Sequence, residues 1–251
     1  MILVVAAHPD DEIIGLGAQL PYLPDVLFVH VTDGAPRNMI DARAHGFASR
    51  EEYARQRRNE ALQALSAGHI EQERCRDLAF ADQETTANLP LITAKLYQLI
   101  REARPHYVVT HPYEGGHPDH DSTAFACYTA RRLLMRERRC PGILVEFTSY
   151  HVRDGRRVAG EFLPSSTCEV ITCILLPQQQ AFKKYLFSCF PTQQTVLADF
   201  PTNIERFRVA PDYDFRKPPH EGPLYYENFP WGMTGLEWRR IATAALRQLE
   251  L

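Results

Sequence analysis

The chain opens on an unbroken apolar run, Ile2 to Ala7, the pattern of a central parallel strand covered on both faces. Pro9 stands where a first helical turn tolerates a missing N–H, which predicts a helix over residues 9–20. Val26 to Val31 is a second apolar strand, closed by Thr32-Asp33-Gly34. Residues 49–66 read as a helix with many surface arginines, and Leu78 to Phe80 as a short strand. Leu89, Ile92, Leu96, Leu99 and Ile100 recur at helical spacing. Pro105 ends that helix, and His106 to Thr110 is the next strand. A loop rich in Gly, Pro and His covers 111–120, and a helix runs on to about 136. This alternation predicts an α/β fold: an open, mostly parallel, Rossmann-like sheet with helices on both faces.

The second half is less regular. Gly142 to Val152 and Arg157 onward flank Asp154-Gly155, which reads as a β-hairpin. Cys168 to Leu176 is another apolar strand, and 178–199 reads as a helix in two pieces broken at Pro191. Residues 200–233 are rich in proline and aromatics and are expected to wrap the surface before a last helix at about 235–249. The expectation is one domain over 1–251. Residues 1–140 form the sheet core, and 141–251 complete the sheet and pocket with a C-terminal hairpin and aromatic extension.

Composition narrows the function classes. The 251 residues are 45% hydrophobic and 24% charged, enough for a sizeable core. A net charge of -3 and a pI of about 6.4 argue against nucleic acid or an anionic membrane as partner. The six cysteines show no CxxC spacing and read as reduced, mostly core thiols. The first strand begins at Ile2, and no apolar run approaches the roughly 20 residues of a membrane span. The chain therefore reads as a cytoplasmic soluble protein.

Two motifs carry the chemistry. "HPDDE" (8–12) crowds three acids against the end of the first strand, and buried carboxylates need a counter-charge. His8 and Asp11 share a face if the segment is helical, while Asp10 points elsewhere. "HPDH" repeats the spacing with His117 and His120 around Asp119. Either motif alone also fits a helix N-terminus, where acids are favoured by the dipole. Both follow apolar strands, and ligands in such sheets bind at strand carboxyl ends, so the topology brings them together. Two histidines and a carboxylate suit zinc and leave positions open for water and substrate. A spare carboxylate can take a proton, and a second histidine can stabilise an oxyanion or protonate a leaving amine.

Other signals are weaker. "GLGAQL" (15–20) half-matches a dinucleotide loop, but the acids of "HPDDE" would repel a pyrophosphate. Gly15 and Gly17 read instead as close helix–sheet packing. The arginines of "RRLLMRERR" (131–139) read as a solvated helix face.

"AAHPDDE" followed by "HPYEGGHPDHD" resembles the LmbE-like, or PIG-L-type, zinc-dependent N-deacetylases. "VTDG" (31–34), "RRNEALQAL" (57–65), Asp82 in "LAFADQE" and "YENF" (226–229) extend the likeness over most of residues 2–230. The resemblance implies removal of the acetyl group from an N-acetylglucosamine-containing conjugate. It implies His8, Asp11 and His120 as Zn2+ ligands, with Fe2+ fitting the same set. It makes Asp10 the general base, and His117 the electrophile and acid, oriented by Asp119. Arg57 and Asp82 would contact sugar hydroxyls, and Glu12 would cap or pack its helix. Family members form trimers or hexamers, so a homo-oligomer is admitted. Where some members carry a tyrosine, this chain has Gly115, which passes the oxyanion contact to Tyr113. Where the family shows a histidine, "FPTQ" (190–193) places Phe190. Two rival readings keep the motifs: an amidase or deacylase for a thiol conjugate or longer acyl chain, and a non-catalytic metal- or sugar-binding module.

Overall fold

The computed structural model describes all 251 residues. Its strands are β1 (Ile2–Ala6), β2 (Val26–Pro36), β3 (Cys75–Asp82), β4 (Tyr107–Thr110), β5 (Ile143–Phe147), β6 (Tyr150–Arg153), β7 (Arg156–Ala159), β8 (Val170–Ile174) and β9 (Ile204–Val209). Its helices are α1 (Asp11–Leu16), α2 (Ile40–Ala44), α3 (Arg50–Ala67), α4 (Leu89–Ala103), α5 (Pro118–Arg136), α6 (Pro177–Ser188), α7 (Gln194–Leu197) and α8 (Gly235–Gln248).

The side chains of β1 alternate between two cores. Val4 packs with Ile13, Phe28 and Leu186 on one face, and Leu3 and Val5 pack with Ile92, Leu96 and Val108 on the other. A strand apolar on both faces belongs in the middle of a covered sheet. The seven-stranded sheet runs β3-β2-β1-β4-β5-β9-β8, with β6 and β7 as a separate ribbon. The first five strands are parallel, whereas β9 is antiparallel to both β5 and β8. The strand order reverses at β1, between β2 and β4. The crevice beyond the carboxyl ends opens there, and the "HPDDE" and "HPYEGGHPDH" segments leave β1 and β4 at that crevice. No helix is long and apolar enough to cross a membrane.

Several elements differ from expectation. The helix placed over 9–20 is α-helical only over Asp11–Leu16 and then tightens to a 3-10 turn, Gly17–Tyr22, with Pro21 inside it. β2 does not close at Thr32-Asp33-Gly34 but continues to Pro36, with register shifts against β3. The hairpin arm from Gly142 to Val152 is two strands: β5 belongs to the main sheet, and only β6 pairs with β7. The turn itself is as read, with Asp154 and Gly155 both at positive φ, 53° and 72°. The largest miss is β9, which lies inside the segment expected to wrap the surface. Its two buried residues, one on each face, are charged. Glu205 pairs with buried Lys183 at 2.8 Å, and Arg208 with Glu146 at 2.7 Å, so the strand is invisible to a hydrophobicity reading.

Candidate metal centre and active site

The chain leaves β1 in a tight turn before α1 begins at Asp11. Asp10 sits in this turn at φ 147°, a conformation L-residues rarely adopt. The His8 N–H donates to Asp11 Oδ2 at 2.7 Å. His8 and Asp11 therefore meet through the turn, not through helical spacing. Thr32 fastens the strand end by donating its backbone N–H and its hydroxyl to the Ala7 carbonyl, at 2.8 and 2.9 Å. His111 accepts the Ala7 N–H on Nε2 at 3.0 Å.

The second segment is held as firmly. Asp121 Oδ1 accepts the N–H groups of Glu114 and Gly115, at 3.2 and 3.0 Å. Gly115, at φ 72°, and Gly116 lie so close to Leu224 and the Tyr150 carbonyl that a Cβ on either would collide. His117 caps α5, accepting the Asp119 N–H on Nδ1 at 3.1 Å.

The two segments converge on the Asp11 carboxylate. Its Oδ2 lies 3.1 Å from His8 Nδ1, and its Oδ1 lies 3.1 Å from His120 Nε2. The far nitrogens are held from outside. His8 Nε2 faces Asp82 at 3.1 Å and Asp119 at 3.3 Å, and His120 Nδ1 meets Ser149 Oγ at 3.2 Å. Ligating histidines are normally oriented this way. His8, Asp11 and His120 are all buried, with donor atoms within 4.8 Å of one another. A second group of donors, His8, Asp82, His117 and Asp119, meets the same distance limit. It fits a cation less well. Asp119 already accepts from the Thr85 hydroxyl at 2.5 Å and the Gln83 N–H at 2.7 Å, so little lone-pair capacity is left.

Charge supports the triad. Burial pulls the His8 imidazole down, but Asp82, Asp11 and Asp119 outweigh it and raise it well above its ordinary value. Burial would raise the Asp11 carboxyl, yet His120 and His111 hold it well below the usual range. Without a metal, a proton on His8 does the work a cation would do. The donor set, buried and in excess of negative charge, fits a divalent ion.

Asp10 turns away from this triad. Its Oδ2 accepts from Arg57 at 3.1 Å, and its Oδ1 has no hydrogen bond. Burial pushes its carboxyl up to about 7, opposed by Arg57 and reinforced by Asp11. That is where a general base is most effective near neutrality.

Several expected roles change. Asp119 does not hold His117 through its carboxylate, which faces His8, Thr85 and Gln83; only its backbone N–H reaches His117. With Nδ1 accepting that bond, His117 carries its proton on Nε2, and burial and His8 hold it well below its ordinary pKa. It is a neutral donor, not an imidazolium. Arg57 is buried, its guanidinium engaged by the Pro9 carbonyl and Asp10, so it is not turned to the crevice for sugar hydroxyls. Asp82 does stand at the site, against His8. Tyr113 does not: its ring stacks on Trp238 in an aromatic core, and its hydroxyl donates to the Lys217 carbonyl at 3.0 Å. Phe190 is wholly buried in the core with Phe147 and Leu186, away from the crevice. Glu12 packs as expected, 3.0 Å from His30.

Four further residues stand at the site: three were not singled out in the sequence as site residues, and Trp231 was one of several late aromatics that fit either a sugar platform or core and subunit contacts. His111 was read as a loop residue, but it stacks on His120 at 4.2 Å. Ser149 arrives from the connection between β5 and β6 and Tyr150 from the start of β6, the Tyr150 ring 5.4 Å from that of His120. Trp231, from the late aromatic segment, lies 4.7 Å from His117. Only the position of "HP" after β4 could have flagged His111.

Comparisons with known proteins place the chain in a family. Residues 3–131, just over half of the chain, match the family PIG-L: GlcNAc-PI de-N-acetylase, and the protein belongs to that family. A 1D-myo-inositol 2-acetamido-2-deoxy-alpha-D-glucopyranoside deacetylase of Rhodococcus opacus is 34% identical over 142 residues, 47% of this chain and 49% of the relative. The match thus spans about half the length of that curated relative. The zinc inhibited form of teicoplanin deacetylase Orf2 aligns with a TM-score of 0.63 at 16% identity, over 85% of this chain and 99% of that one. The N,N'-diacetylchitobiose deacetylase of Pyrococcus horikoshii aligns at 0.54 and 18%, over 79% of this chain and 73% of that one. At these identities the two structures establish the shared fold.

Proposed function

We propose that the protein is a zinc-dependent N-deacetylase that releases acetate from an N-acetylglucosamine-containing small conjugate. The observation that carries this reading is the Asp11 carboxylate between His8 Nδ1 and His120 Nε2, with the neighbouring residue Asp10 keeping its Oδ1 free of any hydrogen bond. A buried three-donor set with a spare carboxylate next to it in the chain suits hydrolysis, whereas a binding module has no use for that carboxylate. The relatives' names, all deacetylases of N-acetylated sugars, support the same substrate class.

His8, Asp11 and His120 would hold the ion. When bound, zinc supplies Lewis acidity and lowers the pKa of a coordinated water to about 7. The protein does the rest. Asp10 accepts a proton from the attacking water as oxygen bonds to the acetamide carbon. Arg57 keeps that carboxylate aimed and its backbone turn closed. The His117 Nε2–H donates to the carbonyl oxygen as negative charge develops on it. Asp10 then returns the proton to the amide nitrogen as the C–N bond breaks, leaving a free amine and acetic acid, which ionises to acetate.

The test is acetate release from a panel of N-acetylglucosamine conjugates by zinc-loaded protein, beside Asp10→Asn. The reading expects release by the wild type and a loss of about 10²- to 10⁴-fold in Asp10→Asn with zinc retained. Release only from longer N-acyl or thiol conjugates, or an Asp10→Asn variant as active as wild type, would overturn it.

A further inference from the structure

We propose that the loop tip Phe229–Met233 is a mobile recognition flap and that Trp231 supplies the face on which the substrate's sugar ring packs. This rests on the deacetylase reading but concerns residues outside its motifs.

Glu227 closes the base of the loop. Its Oε2 accepts the Leu224 N–H at 2.8 Å and its Oε1 the Gly235 N–H at 2.7 Å, so one carboxylate ties together both ends of the segment from Leu224 to Gly235. Leu224 also fills the space over Gly115, and the Tyr225 N–H donates to the Gly115 carbonyl at 2.9 Å. The base is thereby docked on the loop that carries His117. Beyond that clamp, residues 230–233 make no hydrogen bond, backbone or side chain. The tip is held by apolar packing: Trp231 stacks on Phe229 at 4.5 Å and 12°, Phe229 meets Tyr225 at 5.2 Å, and Met233 rests against the core around Trp238. A tip with a fixed base and no hydrogen bonds of its own opens at low free-energy cost.

The tip lies where recognition must occur. The Trp231 ring is 4.7 Å from His117, while His8, Asp10, His117 and His120 are each no more than 8% exposed. The catalytic groups are thus nearly covered, and displacing Trp231 would uncover His117. Once displaced, the indole still borders His117. It offers a broad apolar face ending in an N–H that has no partner in this structure. An acetamide group alone has no surface to match it. The pyranose ring, with apolar C–H faces and a hydroxyl rim, does.

Trp231 also provides its own test, because the chain has two tryptophans and Trp238 is wholly buried in the aromatic core. Zinc-loaded protein is titrated with methyl N-acetylglucosaminide, and with acetamide as the probe lacking a sugar face, while tryptophan emission is followed. Emission should shift and saturate with the sugar but not with acetamide, and the shift should vanish in Trp231→Phe. In turnover, Trp231→Ala should raise KM for N-acetylglucosamine conjugates by about tenfold with kcat within about threefold, and Trp231→Phe should recover most of the loss. Sugar binding seen by calorimetry without any change in emission would overturn the proposal. So would a fall in kcat at unchanged KM, which would mean that Trp231 acts only through His117. A saturable emission change in a protein that releases no acetate would retain the flap and refute the deacetylase reading instead.

Discussion

Two clusters of buried charge stand on either side of β5, and they resolve the same problem differently. At the antiparallel edge, Arg208 donates to Glu146 at 2.7 Å, to Glu114 at 3.0 Å and to the Tyr213 hydroxyl at 3.1 Å. The Tyr213 hydroxyl in turn donates to Glu146 at 2.7 Å. The guanidinium that answers the acids is part of the chain, and it lies over Phe162 at 4.1 Å. At the crevice, Asp11 sits between two imidazole nitrogens, and the nearest guanidinium, that of Arg57, is turned to Asp10. Buried charge that the chain neutralises itself is architecture. Buried charge left to a proton on His8 awaits an ion, and that contrast identifies the site more sharply than burial does.

The largest effect expected is from Asp11→Ala. It should abolish zinc binding and lower acetate release by at least about a thousandfold, several kcal/mol of barrier. Its metal-free melting temperature should fall less than that of Arg208→Met, because the imidazoles paired with Asp11 can shed their protons once the carboxylate is gone, whereas the acids around Arg208 lose a cation that cannot be replaced. Arg208→Met should do the reverse. It leaves two carboxylates buried without their cation and should cost about 3–5 kcal/mol in denaturant unfolding, with zinc stoichiometry unchanged. If Asp11→Ala unfolded the protein and Arg208→Met stripped its metal, the contrast would be inverted.

Smaller changes sharpen the comparison. Asp119→Asn removes the negative charge behind His8 and should weaken zinc about 10- to 100-fold in a competition titration. Were Asp119 the partner of His117 instead, kcat would fall at unchanged zinc affinity. The smallest effect concerns pH. Burial pushes the Glu146 carboxyl from 4.5 up to about 7, against the pull of Arg208 and Tyr213. Between those values the native state holds a proton that the unfolded chain has released. Stability therefore falls as pH rises from about 4.5 to about 7, by at most ~3 kcal/mol, and is flat above. Glu146→Gln should flatten that slope in unfolding measured at several pH values.

The sequence made the crevice legible and the edge illegible, for one physical reason. His8, Asp11, His117 and His120 stand in short motifs next to apolar strands, so a local pattern marks them. β9 reads as polar because Glu205 and Arg208 are buried against Lys183 and Glu146, partners 22 and 62 residues away. No local pattern announces such pairings. The same limit explains the errors at the site. Spacing suggested that Asp119 serves the histidine beside it in sequence. The fold instead turns its carboxylate to His8, 111 residues away. Tyr113 follows the strand that ends at the site, but its ring is drawn into the cluster around Trp238, while Tyr150 and Trp231 reach the histidines from distant segments.

The most direct test of the central claim is calorimetric titration of metal-free protein with zinc in buffers of different ionisation enthalpy. The account predicts one equivalent bound, with proton release as the ion displaces the proton held on His8, and no binding to Asp11→Ala. Failure of the wild type to bind zinc, or equal binding by Asp11→Ala, would contradict it.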